Sequence, residues 1–421
     1  MKIKHFWQAV RASKRTSRKA LLSIAAMMAL PAIGAQAPAP AMPKEVLGNI
    51  LFNDLTLSNP VGQSCASCHK PEGAFADPGM AASEGAIKGV FGNRNTPTLL
   101  YASMTIPFEE LSYEKGWQGG LFWDGRANTL QEQALGPLLN PIEMNNTVEG
   151  LAKKLRATSY YGSLKAVYGE ALDTSDQAAV DAAADALAVF QQTEQFQPFT
   201  SKFDYAEFDL VELTQQEFEG HHIFQGKGMC IDCHSGRFDG DDLFSSYRHH
   251  NIRVPVNPEL AFYTQPKSVN PEGKAFIDIG LGLNTRLTAE DQKLARGLFR
   301  SPSLRNIALT PPYMHNGVFK TLEEVIDFYN DIDSKGPPEL SENMSSLLST
   351  PLELTEQEKA ALIAFLKTLT DGYEVPAETY RTLKAKRKER AELLAAQEAE
   401  YLKAEQERLK AEEARLKASG G

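Results

Sequence analysis

Two stretches of the sequence decide the fold: Cys65-Ala-Ser-Cys68-His69 and Cys230-Ile-Asp-Cys233-His234. Each has the spacing C-x-x-C-H, the attachment pattern of c-type haem. Cysteines three apart on a helical turn can reach both vinyl groups of one porphyrin, and the next histidine can turn its imidazole toward the iron. The motifs use all four cysteines, which disfavours chance, zinc-only sites and disulfides. We expect two covalently bound haem c groups, with His69 and His234 as iron ligands.

The composition favours a soluble globular protein. Of 421 residues, 42% are hydrophobic and 23% are charged, which excludes a chain that is disordered throughout or one with many membrane spans. The formal charge of −10 becomes −17 once the seven basic residues among the first 19 are set aside. A chain this acidic is a poor electrostatic partner for nucleic acid, so we expect no nucleic-acid binding.

The N-terminus has the pattern of a secretory signal peptide. Basic residues precede an apolar run at 20–33, and small residues follow it. We therefore expect a Sec-type signal peptide over residues 1–36 and a periplasmic protein. The apolar run is short for a transmembrane helix, although an uncleaved membrane anchor remains the alternative. Residues 37–43 form a Pro/Ala linker.

The rest of the chain predicts a mainly α fold with long loops. We expect an N-terminal haem c domain at 44–205, a C-terminal haem c domain at 206–375, and a charged helical extension at 376–421. Loops rich in Gly and Pro fill about residues 71–121. Apolar spacing and capping residues predict helices at 129–139, 147–161, 176–196, 322–329 and 355–369, and a further helix start at Thr214.

An internal repeat supports two tandem domains. Residues 122–132 resemble residues 314–324 at an offset of 192. Asp124-Gly125 matches Asn316-Gly317, and Thr129-Leu130 matches Thr321-Leu322. We expect the same loop–helix element after each haem motif.

The extension carries Leu402, Leu409 and Leu416 at intervals of seven residues. A coiled-coil seam also needs apolar residues between them, but those positions are Ala399, Gln406 and Glu413. The sequence is compatible with a solvated helix that carries Glu–Lys pairs. A protein-interaction or oligomerisation helix is the alternative.

The side chain on the sixth iron position distinguishes an electron carrier from a catalyst. The usual sixth ligands are His and Met, and no histidine occurs between His69 and His221. The first haem can therefore draw only on Met80, Met104 or Met144 in its own domain. Packing is the more ordinary role for these methionines.

Several further stretches resemble the bacterial di-haem cytochrome c peroxidase and MauG family. The resemblance covers about residues 45–370 and leaves out the extension. The stretches are Phe122-Trp123-Asp124-Gly125-Arg126-Ala127, Gln133-Ala-Leu-Gly136-Pro137, Asn140-Pro141-Ile-Glu143-Met144, Leu304-Arg305-Asn306 and Thr310-Pro-Pro312-Tyr313-Met314-His315-Asn316-Gly317.

The resemblance implies a hydrogen peroxide site at the first haem, lined by Gln133, Pro137 and Glu143. Cleavage of peroxide needs one group that takes a proton from one oxygen and returns it to the other. Glu143 is our candidate for this acid/base, and Gln133 would orient the peroxide. Pro137 cannot ligate and would keep the iron face clear. Alternatively, Glu143 caps a helix or pairs with Arg126.

The resemblance also implies residues at and near the second haem. The offset of 192 carries Pro137 onto Tyr329, where the family has Met in peroxidases and Tyr in the MauG branch. A tyrosinate ligand would favour oxidised iron; Met314 as ligand, or a packing role for Tyr329, is the alternative. Trp123 matches a tryptophan between the haems. Three positions match a calcium site: Asn95, Thr310 and Pro312.

Two departures bear on function. Peroxidases of the family carry a distal His after the first haem motif, and here Gly85 stands near that place, as in the MauG branch. MauG has a tryptophan two residues before the second motif, and here that residue is Gly228. We therefore expect a peroxide-dependent enzyme that oxidises a protein partner in the MauG manner. The alternatives are a peroxidase that draws electrons from a small cytochrome c, and a non-catalytic electron carrier.

Overall fold

Thirteen α-helices carry most of the regular backbone in the computed structural model, which describes residues 41–112, 115–235, 243–348 and 350–419. The predicted signal peptide at 1–36 and the linker up to residue 40 lie outside these ranges. The first seven helices are α1 Lys44–Asn53, α2 Cys65–Cys68, α3 Leu130–Leu139, α4 Val148–Ala157, α5 Tyr161–Tyr168, α6 Ala171–Thr174 and α7 Asp176–Phe190. The others are α8 Lys202–Glu207, α9 Gln215–Gln225, α10 Ala289–Leu294, α11 Leu322–Asn330, α12 Glu356–Lys367 and α13 Ala377–Ser419.

Strands are few and short among the described residues, so the prediction of a mainly helical fold is confirmed. Antiparallel β1 (Glu109–Glu110) and β2 (Trp117–Gln118) form one ladder. Antiparallel β3 (His249–His250) and β4 (Phe299–Arg300) form another.

Side-chain caps explain where several helices start. Thr129, Thr147 and Thr355 each accept a hydrogen bond from the backbone N–H three residues later, as expected for N-caps. Thr214 and Glu217 form the predicted capping box of α9.

Two predicted helices were too long. The helix expected over 147–161 ends at Ala157, where the hydroxyl of Thr158 donates a hydrogen bond back to the Leu155 carbonyl at 2.7 Å. The next helix, α5, begins at Tyr161. The helix expected over 176–196 ends at Phe190, and a 3₁₀ turn at Glu194–Phe196 follows it. There Phe196 is fully buried against Phe52 and Phe190, so aromatic packing overrides the helical continuation.

Two large hydrophobic cores each pack against one haem motif. The N-terminal core joins α1, α4 and α7 through residues such as Leu47, Leu151 and Val180. The C-terminal core joins α9, α11 and α12 through Phe224, Phe328 and Phe365 among others. The described residues from 41 onward nevertheless form one compact unit.

The repeat seen in the sequence has a counterpart in the backbone. Isolated bridges join Leu121 to Ala127 and Tyr313 to Phe319, again 192 residues apart. Gly125 and Gly317 share the same positive φ of 64°, which glycine adopts without steric cost. Each loop leads into a helix, α3 or α11, capped by the matching threonine.

Buried ion pairs connect the two halves of the chain. Arg94 binds Asp278 through Nε and Nη2 at 2.6 and 2.8 Å, and its Nη1 binds Asp124 at 2.6 Å. Arg305 binds Asp204 at 2.8 and 3.1 Å, and both side chains are fully buried. Charges so deeply buried are tolerated because each is paired.

Helix α13 follows the C-terminal core and is 43 residues long. Within the described part of the chain, no helix is both long enough and apolar enough to cross a membrane.

Candidate functional site

The first haem motif presents its histidine with one nitrogen already engaged. Helix α2 carries Cys65 and Cys68, and the His69 N–H closes the turn on the Cys65 carbonyl at 2.9 Å. His69 Nδ1 lies 2.7 Å from the Phe75 carbonyl, so the protonated Nδ1 donates and Nε2 remains for a metal. Burial lowers the pKa of His69 and favours this neutral ring.

A cavity of about 410 Å³ lies against this motif; we call it cavity 1. Its wall contains Cys65, Cys68 and His69 together with every residue predicted for the peroxide site. Those residues are Gln133, Pro137 and Glu143, and Trp123, predicted to lie between the haems, lines the same cavity. The structure therefore brings together the predicted set from three separate segments.

Helix α3 and the turn after it position the polar side of cavity 1. Gln133 and Pro137 are four residues apart on α3, so they share one face. Glu143 follows in a turn in which its N–H donates to the Asn140 carbonyl at 3.0 Å. The Asn140 amide then donates to Glu143 Oε1 at 2.6 Å, which fixes the carboxyl orientation.

Glu143 has the surroundings of a proton-transferring carboxyl. Burial raises its pKa, and the Asn140 hydrogen bond opposes that shift. Arg126 instead pairs with Asp124 at 2.8 Å and lies 3.5 Å from the centre of the Phe122 ring. Glu143 lies outside the helices and, among the described residues, forms no ion pair with Arg126, although the Arg126 charge also opposes the rise of the Glu143 pKa.

Gly85 has a steric reason to lack a side chain. A Cβ at this position would lie 2.3 Å from the Ile142 carbonyl oxygen, a distance that real side chains do not reach. The Ala86 N–H also donates to the Glu143 carbonyl at 2.7 Å. The loop therefore packs directly against the turn that carries Glu143, and a histidine at residue 85 would not fit.

The three methionines of the first half differ in position. Met144 is buried and lines cavity 1, so it has access to the site. Met104 packs against the N-terminal core, and Met80 is exposed. Neither of these two lines cavity 1.

The second haem motif repeats the histidine geometry on a different turn. Cys230–Asp232 is a 3₁₀ turn, and the His234 N–H reaches the Cys230 carbonyl at 2.8 Å. His234 Nδ1 lies 2.9 Å from the Phe244 carbonyl, which again directs Nε2 to a metal. A backbone oxygen therefore orients both histidines, six residues after His69 and ten residues after His234.

Cavity 2, of about 210 Å³, lies against the second motif. Cys230, Cys233 and His234 line it, as do Tyr329 and Met314. Tyr329 sits in the last turn of α11, and burial raises the pKa of its hydroxyl. Both candidate sixth ligands of the second haem thus reach the same cavity.

Asn95 and Trp123 line both cavities. The indole N–H of Trp123 donates to the Asn95 carbonyl at 2.9 Å, which fixes the ring between the two sites. Thr310 and Pro312 line cavity 2, as Asn95 does, so all three positions matched to a calcium site border this cavity.

Sequence reasoning missed several polar residues at the cavities. His250 lines cavity 2, and its Nε2 has no hydrogen-bond partner among the described residues. Arg300 lines the same cavity, and Arg94 lines cavity 1. The pair His249-His250 was visible in the sequence, but its place depends on β3 and β4, whose pairing has no local signal.

The residues present fit c-type haem. All four cysteines are free, and each pair lines one cavity. Each cavity also has one motif histidine whose orienting hydrogen bond uses Nδ1 and leaves Nε2 for the iron. Thioether attachment and axial ligation need this donor set.

The chain is similar to known proteins over most of its length. The profile of the di-haem cytochrome c peroxidase family matches residues 42–209. The methylamine utilization protein MauG of Paracoccus denitrificans is 39% identical over 350 residues, 77% of this chain and 88% of that protein. The cytochrome c551 peroxidase of Nitrosomonas europaea is 33% identical over 77% of this chain and 79% of its own length.

Solved structures agree with these relatives. The diheme peroxidase BthA from Burkholderia thailandensis matches with a TM-score of 0.69 and 29% identity, over 81% of this chain and 90% of that one. A MauG-like protein associated with microbial copper homeostasis matches with a TM-score of 0.60 and 31% identity, over 81% of this chain and 93% of that one. The chain is an oxidoreductase of the haem-peroxidase type, and it belongs to the di-haem cytochrome c peroxidase and MauG family, whose members carry two c-type haems.

Proposed function

We propose that this enzyme uses hydrogen peroxide at the first haem to oxidise a protein partner in the manner of MauG, while the second haem relays electrons. One observation carries this proposal: among the described residues that line cavity 1, His69 is the only histidine. Peroxide can then bind at this site without the prior release of a distal histidine. The similarity to MauG of P. denitrificans supports the same conclusion.

The first site divides the chemistry between iron and protein. A bound haem supplies a redox-active iron that can pass electrons to hydrogen peroxide. Glu143 takes a proton from one peroxide oxygen and returns it to the other, and Gln133 orients the substrate. The overall reaction reduces hydrogen peroxide to two waters with two electrons from the partner and two protons from the partner and the solvent. Burial of Glu143 suits this role, because a raised pKa makes the carboxyl a better proton acceptor.

In this proposal His234 and Tyr329 would hold the iron of the second haem, with Met314 as the alternative to Tyr329. An anionic oxygen ligand stabilises the oxidised iron and so lets this site hold an oxidising equivalent. Trp123 couples the sites, because it lines both cavities and is fixed by Asn95.

The proposal includes a calcium ion beside cavity 2. Asn95 would supply a side-chain oxygen, and Thr310 and Pro312 would supply carbonyl oxygens, which are ligands that calcium prefers. Their common position at cavity 2 supports this assignment. We also propose that the two halves, 44–205 and 206–375, are tandem haem domains, and that the segment before them directs export to the periplasm.

A peroxidase that receives electrons from a small cytochrome c is the second candidate, because the N. europaea cytochrome c551 peroxidase is also similar over most of the chain. Gly228 stands where MauG has a tryptophan, so the contact with the partner differs from that of MauG. A non-catalytic electron carrier fits less well, since Gln133 and Glu143 line cavity 1.

The variant Glu143→Gln tests the proposal. It keeps the side-chain shape and removes the proton acceptor, so peroxide consumption by the oxidised, haem-loaded enzyme should slow by about 10²–10⁴-fold. The matched control is Glu132→Gln, at an exposed glutamate of the preceding helix α3, which should leave the rate unchanged. Turnover by Glu143→Gln at the parent rate would remove the acid/base role.

Electron paramagnetic resonance separates the two candidate enzymes. The MauG-like enzyme should show high-spin and low-spin ferric haem that both bleach on peroxide addition without prior reduction. Two low-spin haems that ignore peroxide until a cytochrome reduces one of them would overturn the proposal in favour of the second candidate.

A further inference from the structure

Helix α13 has an anchored part and a projecting part. The anchored part packs on the body through Leu383, which is 1% exposed. Lys384 pairs with Glu194 at 2.5 Å, the Arg387 guanidinium lies 3.7 Å from the centre of the Phe199 ring, and Arg390 approaches Glu207 at 3.8 Å. These contacts fix the direction of the helix up to residue 390.

The projecting part begins at residue 391. No described side chain from there to residue 411 is buried, and Leu402 and Leu409 are 51% and 49% exposed. The backbone stays helical through Ser419, so at 1.5 Å per residue about 43 Å of helix extends past the anchor.

Charges flank the leucine positions in a regular order. With Leu402, Leu409 and Leu416 at position d of a heptad abcdefg, every e position is lysine and every g position is glutamate. The lysines are Lys403, Lys410 and Lys417, and the glutamates are Glu398, Glu405 and Glu412.

Pairs within one helix engage these charges with other partners, such as Lys403 with Glu407 four residues later, but they do not require glutamate and lysine five residues apart. Each glutamate precedes its lysine by five residues, and helix neighbours are three or four residues apart. Glu405, for example, bonds Arg408 of its own helix at 2.6 Å and not Lys410. Residues five apart lie far round the helix from each other, so a single helix gains nothing from the spacing.

A second copy of the chain does account for it. In a parallel two-stranded coiled coil, position g of one helix faces position e of the next heptad in the other helix. Every such pair here joins glutamate to lysine: 398 to 403, 405 to 410 and 412 to 417. An antiparallel pair would instead place lysine against lysine and glutamate against glutamate. We propose that residues 398–418 form a parallel coiled coil with a second copy of this chain.

The position of the body agrees with this arrangement. Continued back along α13, the heptad places Leu383 and Arg390 at f and Arg387 at c, and not at the a or d positions. The contacts of these residues show that the body packs on the side of c and f. Two helices can therefore meet along the leucines with both bodies on the outside.

The seam is short and the dimer is weak. The a positions are Ala399, Gln406 and Glu413, which are small or polar. A polar residue at a central a position, here Gln406, fixes register at a cost in affinity. The dimer therefore forms and dissociates with concentration.

Sedimentation velocity of the haem-loaded full-length protein over the micromolar range tests the proposal. Glu405→Lys turns two attractive pairs of the dimer into repulsive ones and should raise its dissociation constant by about tenfold. Adding Lys410→Glu to that variant should restore dimerisation. A single reversal that strengthens the dimer would show an antiparallel pair and overturn the proposal.

Leucine substitutions supply the matched control. Leu402→Glu at position d should abolish the dimer, whereas Leu393→Glu, at an equally exposed position off the seam, should leave it intact. A parent protein that stays monomeric at high micromolar concentration would overturn the proposal, as would a dimer unaffected by Leu402→Glu.

Discussion

Replacement of Arg94 by methionine would test how the two halves of the chain are held together. Arg94 is 12% exposed, and its two carboxylate partners, Asp124 and Asp278, are 5% and 2% exposed. Methionine is of similar length but cannot pair with a carboxylate. The change leaves Asp278 without its two short bonds to the guanidinium, 2.6 and 2.8 Å long.

The structure sets the size of the effect. Removal of one member of a buried ion pair costs about 3–5 kcal/mol, because the other charge stays buried. Asp124 keeps Arg126 at 2.8 Å, so the loss falls mainly on Asp278. Asp278 retains the Gly280 N–H at 2.9 Å. We therefore expect a loss of unfolding free energy near the lower limit, about 3 kcal/mol.

The assay is urea unfolding of the haem-loaded protein, followed by Soret absorbance and far-ultraviolet circular dichroism. The matched control is Arg286→Met, whose guanidinium pairs with Glu132 at 2.8 Å on the surface and should matter little. Equal losses for Arg94→Met and Arg286→Met would refute the argument that burial makes the Arg94 pair important.

Three further predictions concern pH and the haem sites. Arg94 helps hold the pKa of Asp278 at about 2, below its unfolded value. The stability that this pair provides is therefore present above about pH 4 and is lost as the pH falls toward 2. Arg94→Met should flatten that part of the curve of unfolding free energy against pH. Tyr329→Met should raise the potential of the second haem by on the order of 100 mV in a redox titration, and an unchanged potential and spectrum would exclude Tyr329 as ligand. Trp123→Phe should slow electron exchange between the haems in stopped-flow measurements while leaving both haem spectra intact; parent kinetics would assign Trp123 to packing alone.

The sequence predicted the local parts of the site well. Gln133 and Pro137 share a face of α3 because four residues make one helical turn, and their capping Thr129 was recognisable. The repeat offset carried Pro137 onto Tyr329, and the structure places both on equivalent helices that border cavities with a haem motif. Periodicity and repetition are local, so one sequence suffices to find them.

Contacts between distant segments could not be predicted in the same way. The reason for glycine at position 85 is the Ile142 carbonyl, 57 residues away, and no spacing rule connects them. The predicted ends of α4 and α7 were also wrong. For α7, the packing of Phe196 on Phe52, and not helix propensity, decides where the helix ends. Arg94 carried no signal, since its partner Asp278 follows 184 residues later.

The exchange of charged partners between the halves limits how this protein can be divided. Asp204 belongs to the first half and finds Arg305 in the second, while Asp371 accepts hydrogen bonds from Tyr101 and Asn306 at 2.7 and 2.6 Å. A fragment cut near residue 205 would retain its hydrophobic core but leave Asp204 buried without its cation. Chimaeras that graft one half onto a relative must therefore carry over both members of each pair. The two halves can be exchanged between relatives only together.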